Sequence, residues 1–295
     1  MFLKLVKKTR KRARKNNSPD LPDQVFVEAA ESASFFLSDR KQALGKKPKA
    51  FERTYLMKII ICDSYKELSQ KAADLVIDRM IRKPDLVLGL ATGSSPEGLY
   101  ANLVEAYREG RIDFGQASSY NLDEYVGIAH DHPQSYHRFM EDHLFSQVNL
   151  SRERIHFPDE EADFAHYDRA IEEAGGIDFQ ILGIGPNGHI AFNEPQDRLY
   201  LDTHVAQLTP STIQANSRFF DSEDQVPRTA VTMGMGSIMK AKEILILANG
   251  PKKVEAVAPL LRRDRVYTGS PVSLCLLHPN CTLILDREAA GDLAK

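Results

Sequence analysis

The chain has 295 residues, of which 42% are hydrophobic and 27% charged, with no tryptophan and a formal net charge of only −3. That length fits one large domain or two small ones, and the composition is that of an ordinary globular protein. No run approaches the roughly 18 consecutive apolar residues of a membrane-spanning helix, which excludes that class.

Charge is unevenly spread. Residues 1–56 hold 14 Lys or Arg against 6 Asp or Glu, a charge of +8, which leaves −11 for 57–295. The opening KKTRKRARK, Lys7 to Lys15, has the cation density of an arm for nucleic acid or a membrane surface, because clustered cations release phosphate counterions. It equally fits a solvated tail, and the acid-free opening stretch also suits a transit peptide; no apolar run or small-residue cleavage site follows, which counts against a secretory signal. Met57 begins MKIIICDSYKEL, which reads as a natural start. The division expected is a basic, disordered extension over 1–56, not needed for function and binding no nucleic acid, followed by a single domain over 57–295.

From Met57 onward KIIIC predicts a strand and SYKELSQKAADLVIDRMI a helix, with Leu68, Ala72, Leu75, Val76 and Ile77 near helical spacing. DLVLGLA predicts the next strand, and TGSSPEGLYANLVEAYREG a turn followed by a helix, with Pro96 just inside it and Gly110 just past its end. Further strands are predicted at ASSYNL, DFQILGI, TAVTM, EILILA and CTLIL, most of them separated by helical patterns. Cys62 and Cys275 fall in apolar runs that read as buried strands, and with Cys281 they form no C-x-x-C pair. The three thiols therefore predict core packing in a reducing, cytoplasmic compartment. Short apolar runs alternating with helices predict an α/β fold built on a mainly parallel sheet with helices on both faces.

In such folds ligands collect beyond the carboxyl ends of strands. Thr92, Gly93, Ser94 and Ser95 form a turn into a helix whose free N–H groups and positive terminus suit a phosphate; an ordinary capped turn is the other reading. The stretch matches neither the Walker A loop nor the G-x-G-x-x-G fingerprint. LANGPKK repeats the arrangement, with Lys252 and Lys253 opposing the helix dipole and offset by an anion or by water. NLDEYVG places Asp123 and Glu124 side by side just after a strand. Neighbours in extended chain point to opposite sides, so the two carboxylates predict different jobs, one as a base and one structural. GIGPNGHIAFNEP supplies Gly183, Gly185 and Gly188 for a tight turn and close approach of a ligand, and sets His189 near enough to Glu194 for the carboxylate to orient the imidazole. His130 and His132 in AHDHP read as a solvated loop rather than a metal site.

Taken in order, LATGSSPEGLY, NLDEYVG, GIGPNGHIAFNEP, NSRFFD, TMGMGSIMKAKEILILANGPKK and LHPN resemble the glucosamine-6-phosphate deaminase family over about Met57 to Leu285. The resemblance implies a Rossmann-like open sheet, conversion of glucosamine 6-phosphate and water to fructose 6-phosphate and ammonia, and no metal or organic cofactor. It implies that His189 opens the sugar ring, that Asp123 carries a proton from C2 to C1, that Glu194 orients His189, and that Asn187 helps hold that network. It further implies phosphate binding by Thr92, Gly93, Ser94 and Ser95, with Lys253 of GPKK and with Arg218 of NSRFFD in a segment similar to the family's mobile lid. Asn187 departs from the aspartate frequent in the family, and since an amide takes up no proton it is expected to position rather than titrate.

A second departure concerns regulation. QDRLYLDTHVAQLTP carries Asp197, His204 and Ala206 where members activated by N-acetylglucosamine 6-phosphate have a small hydroxyl and two cations, and the chain stops soon after CTLILD. The expectation is a non-allosteric enzyme, monomeric or a small homo-oligomer. Two other classes share parts of the pattern. A 6-phosphogluconolactonase would carry the GHxA loop but an apolar, proline-ended continuation in place of FNEP. A sugar-phosphate sensor could keep the phosphate loops while losing Asp123, His189 or Glu194, all of which are present. A zinc deaminase is excluded by the lack of H-x-E and P-C-x-x-C.

Overall fold

In the computed structural model, which describes residues 57–159 and 164–294, seven strands pair in parallel into one sheet. They are β1 (Lys58–Cys62), β2 (Val87–Leu90), β3 (Ser118–Asn121), β5 (Ile155–His156), β6 (Phe179–Gly183), β9 (Glu243–Ala248) and β10 (Cys281–Asp286). Their spatial order is β1-β10-β9-β6-β2-β3-β5. β4 (Asp123–Tyr125), β7 (His204–Gln207) and β8 (Thr229–Thr232) form a small antiparallel sheet in the order β4-β8-β7. The basic segment 1–56, expected to be disordered, lies outside the described residues.

The parallel order contains one reversal. From β2 the chain steps outward to β3 and β5; β6 then lies on the other flank of β2, and β9 and β10 step the opposite way. Parallel crossovers are right-handed, so steps in opposite directions put helices on opposite faces, which is the two-sided cover the sequence predicted. The helices are α1 (Tyr65–Arg82), α2 (Glu97–Arg108), α3 (Tyr136–His143), α4 (Phe164–Glu173), α5 (Pro210–Ser217), α6 (Met235–Met239), α7 (Val254–Arg262) and α8 (Arg287–Ala290). α1 begins where the Ser64 hydroxyl accepts from Glu67 N at 3.2 Å, and its Leu68, Ala72, Val76 and Met80 share one buried face. That face packs on α2, β1 and β10. β9 and β10 are covered on both sides, which is why their sequences read as unbroken apolar runs rather than alternating ones. Among the described residues no helix is long and apolar enough to cross a membrane.

Three predicted details differ. TAVTM is β8, and it pairs with β4 and β7 in the antiparallel sheet instead of extending the parallel one. Its inner side joins a second apolar cluster with Tyr125, Phe192, Ile213 and Val226, so an apolar run there reports burial and not the direction of pairing. Cys275 lies in a 3-10 turn opened by Pro271 rather than in a strand, although it is buried and free, as are Cys62 and Cys281. Pro96 occupies the N-cap position of α2, one residue before the helix.

Candidate active site

The reversal sets the loops after β2 and β6 side by side at the carboxyl edge of the sheet, the position where open α/β sheets bind ligands. A cleft of about 700 Å³ opens there. Thr92, Gly93, Ser94 and Ser95 line one part of it, joined by Lys253 and Arg218. Asp123 and His189 line another part, while Asn187 and Glu194 stand behind His189.

At the first of these parts hydrogen bonds pin the backbone of the loop. The Tyr65 hydroxyl donates to Ser94 O at 2.9 Å and accepts from Gly98 N at 2.8 Å, so α1 holds the loop in shape. Gly98 has to be glycine, since a Cβ there would meet Ser69 Oγ at 2.3 Å. Gly93 adopts a φ of 99°, open to glycine and strained for other residues. Ser95 Oγ donates to Asn249 Oδ1 at 2.6 Å, tying this loop to the one after β9. In that second loop Asp286 accepts from Gly250 N at 3.0 Å. Pro96 gives α2 no side-chain cap, which leaves the positive end of the helix turned toward the loop. Lys253 Nζ donates to Ile184 O. Burial, and then the neighbouring Arg218, bring the Lys253 ammonium down to about 8. Arg218 ends α5, its guanidinium 4.5 Å over the Phe219 ring. Two neighbouring cations beside a helix terminus form a site that an anion would stabilise.

Asp123 and Glu124 open β4, and the alternation of the strand sends them to different surroundings. Glu124 turns to α3. Its oxygens accept from Tyr125 N at 2.8 Å, Tyr136 N at 3.0 Å, His137 N at 2.9 Å and His137 Nδ1 at 2.8 Å. Asp123 lines the cleft, and there burial, reinforced by the Glu124 charge, pushes its carboxyl well above the ordinary range. Tyr125 and Tyr136, whose rings lie 4.9 Å apart, are also pushed up by burial, Tyr125 to about 12.

The loop after β6 builds the other functional group. His189 Nδ1 lies 3.3 Å from Glu194 Oε2, and Asn187 Nδ2 donates to that same oxygen at 2.8 Å while Asn187 Oδ1 accepts from His189 N at 3.2 Å. The Thr212 hydroxyl, from α5, donates to Glu194 Oε1. Burial would raise the Glu194 carboxyl, but the hydrogen bonds and charge of His189, with Thr212 and Asn187, outweigh it and bring the group down to about 2. The glycines divide in their reasons. Gly188 adopts a φ of 85°, and a Cβ on Gly185 would sit 2.1 Å from His189 Nε2, so the imidazole packs directly on bare backbone. A Cβ on Gly183 would meet nothing within 4 Å, so only its place on the cleft wall speaks for it. Ala191, at a φ of 52°, makes the left-handed turn that returns the chain toward His189.

The structure thus brings the predicted site residues into and directly behind one cleft. Sequence reading missed Thr212, Tyr65, Tyr125 and Asn216. A signal for Thr212 exists in LTPST, where Thr209 caps α5 and Pro210 starts it, but that pattern announces a helix start and not a carboxylate partner. His130 and His132 are exposed, and the His130 ring stacks on His137 at 3.7 Å. Among the described residues no group of three or more His, Cys, Asp or Glu could hold a metal ion.

An open α/β sheet whose strand-end cleft gathers an imidazole–carboxylate pair, a buried carboxyl and two cations has the layout of an enzyme for a small anionic substrate. A model of the family described as glucosamine-6-phosphate isomerases/6-phosphogluconolactonase matches residues 63–283, and the chain belongs to that family. It is 50% identical over 240 residues to a glucosamine-6-phosphate deaminase of Thermoanaerobacter pseudethanolicus, covering 80% of this chain and 94% of that one. With the corresponding deaminase of Halothermothrix orenii the identity is 51% over 240 residues, covering 80% and 99%. Among solved structures, a monomeric glucosamine-6-phosphate deaminase aligns with a TM-score of 0.76 at 42% identity, over 79% of this chain and 99% of that chain. The 6-phosphogluconolactonase from Trypanosoma cruzi shares the fold, with a TM-score of 0.63 at 21% identity over 82% and 98% of the two chains.

Proposed function

We propose that this cleft converts glucosamine 6-phosphate and water to fructose 6-phosphate and ammonia. The observation that carries the reading is the convergence, in one cleft of about 700 Å³, of a buried carboxyl of raised pKa, an imidazole–carboxylate pair and two cations at a helix terminus. The sugar phosphate docks its dianion on the amides of Thr92 to Ser95, with Lys253 and Arg218 closing over it. His189, its Nδ1 engaged by Glu194, offers Nε2 to move a proton between O1 and O5 as the ring opens. Asp123 then takes the C2 proton and returns it to C1, while O1 gains a proton and the amine nitrogen gives one up, so the C1 carbonyl becomes a hydroxyl and the double bond moves to the C2–N bond. Addition of water at C2 expels ammonia and leaves the ketone. A carboxylate of raised pKa is the stronger base when ionised, which suits abstraction from C2, and the same oxygen then holds the proton for its return to C1. Asn187 and Glu194 act through His189, fixing its tautomer and orientation.

The same reading makes the enzyme a monomer or small homo-oligomer working without metal or organic cofactor, insensitive to N-acetylglucosamine 6-phosphate, in the reducing cytoplasm that three free, buried cysteines suit. Residues 1–56 are an extension that binds no nucleic acid, and 57–295 carry the activity. The deciding experiment is ammonia release from glucosamine 6-phosphate, coupled to detection of fructose 6-phosphate, with Asp123→Asn as control. Activity that collapses in the control supports the reading; tight binding of the sugar phosphate without turnover in the intact chain would turn it toward a sensor.

A further inference from the structure

α5 and the residue that follows it line the cleft, and Thr212, Asn216 and Arg218 reach different parts of it. In its first turn the buried Thr212, 3% exposed, donates its hydroxyl to Glu194 Oε1 and lies 3.5 Å from His189 Nδ1. One turn on, on the same face of the helix, Asn216 Nδ2 donates to the Tyr125 hydroxyl at 2.8 Å, two residues along β4 from Asp123. Its last residue is followed by Arg218. The hydroxyl of Thr212 is itself fed. Thr209, the N-cap, donates from Oγ1 to Thr212 Oγ1 at 3.1 Å, so a chain of oriented hydroxyls runs from the helix start into Glu194. Donors in such a chain polarise one another in a buried, low-dielectric setting. Glu194 uses Oε2 for His189 and Asn187, and Oε1 for Thr212. A carboxylate gripped at both oxygens cannot rotate, and the imidazole it holds cannot rotate either.

We infer that Thr212 is a positioning residue: its hydroxyl locks Glu194, and through Glu194 the imidazole of His189, to the helix capped by the cleft-lining Arg218. The inference rests on the deaminase reading for its kinetic consequence but not for its geometry. Loss of the hydroxyl lets Glu194 turn and frees the ring, while the phosphate contacts stay as they were. The cost falls on turnover and not on binding.

The test uses the full chain with Thr212→Val, which keeps shape and methyl group but removes the donor, and Thr212→Ser, which keeps the donor. A hydrogen bond to a charged group predicts a fall in kcat of about 10-fold or more in Thr212→Val with KM within about threefold, and kcat restored in Thr212→Ser. A second readout needs no activity. The ring nitrogen NMR signals of His189, identified by their loss in His189→Gln, shift in Thr212→Val and return in Thr212→Ser. Unmoved signals with unchanged kcat in Thr212→Val overturn the inference. So does a Thr212→Ser variant as impaired as Thr212→Val, which would assign the position to methyl packing. A wild-type chain that releases no ammonia would sink the deaminase reading, and the imidazole spectrum would still decide Thr212.

Discussion

The β4 arm that carries Asp123 and the β6 loop that carries Glu194 hold carboxylates of nearly equal burial, 6% and 4% exposed. Burial pushes both upward, yet Asp123 stays well above the ordinary range and Glu194 falls to about 2. Donors make the difference. Around β4 they go to Glu124, which accepts from three backbone amides and His137, and the Glu124 charge raises its neighbour further. In the β6 loop Asn187, His189 and Thr212 all converge on Glu194 itself. A drop from 4.5 to about 2 corresponds to about 3 kcal/mol favouring the ionised form. One carboxylate is therefore a permanent charge that holds an imidazole, and the other is free to exchange a proton.

Substitutions can break that contrast. Asp123→Asn is expected to lower kcat for ammonia release by about 10³-fold or more while leaving the calorimetric melting temperature unchanged or higher, because it removes an uncompensated buried acid. Glu194→Gln should cost about 10²-fold in kcat and also about 2 kcal/mol in stability, since a charge-assisted network is lost. Equal stability losses in both variants would erase the distinction. Lys253→Met should raise KM about 10-fold with kcat nearly unchanged, and raise the melting temperature, because folding buries an ammonium that it lowers to about 8. In the wild type, KM should climb as pH passes about 8 and the ammonium loses its proton; Lys253→Met should flatten that climb. The smallest effect is on folding in acid. Glu194 has a depressed folded pKa, so its contribution is complete above its ordinary value of 4.5 and disappears as pH falls toward about 2. Urea unfolding at about pH 5 and about pH 3 should show that loss, reduced in Glu194→Gln.

The parallel sheet was readable because its central strands are buried on both faces and their apolar runs have no alternative explanation. The antiparallel sheet was not. β4 reads DEY and β7 reads HVAQ, too short and polar to announce pairing, and β8 is apolar in a way that either sheet would explain. Within the site, local relations were visible: His189 and Glu194 are five residues apart, and Asp123 and Glu124 are adjacent in extended chain. Contacts made by folding were not. Thr212 reaches Glu194 across 18 residues, and Tyr65 reaches the Ser94 carbonyl across 29, with nothing in either residue's neighbours to indicate a partner.

Asp123 follows β3 after a single residue, Leu122, whose N donates to Leu90 O at 3.1 Å in the parallel sheet and whose O accepts from Met233 N at 2.8 Å beside the small sheet. The chain changes sheets there, so the proposed base stands on the first residue of the smaller assembly. Strands of three and four residues around one modest apolar cluster will open at lower temperature than the seven-stranded body. Heat should therefore silence this enzyme while its far-ultraviolet circular dichroism is still largely native, and brief cooling should restore it.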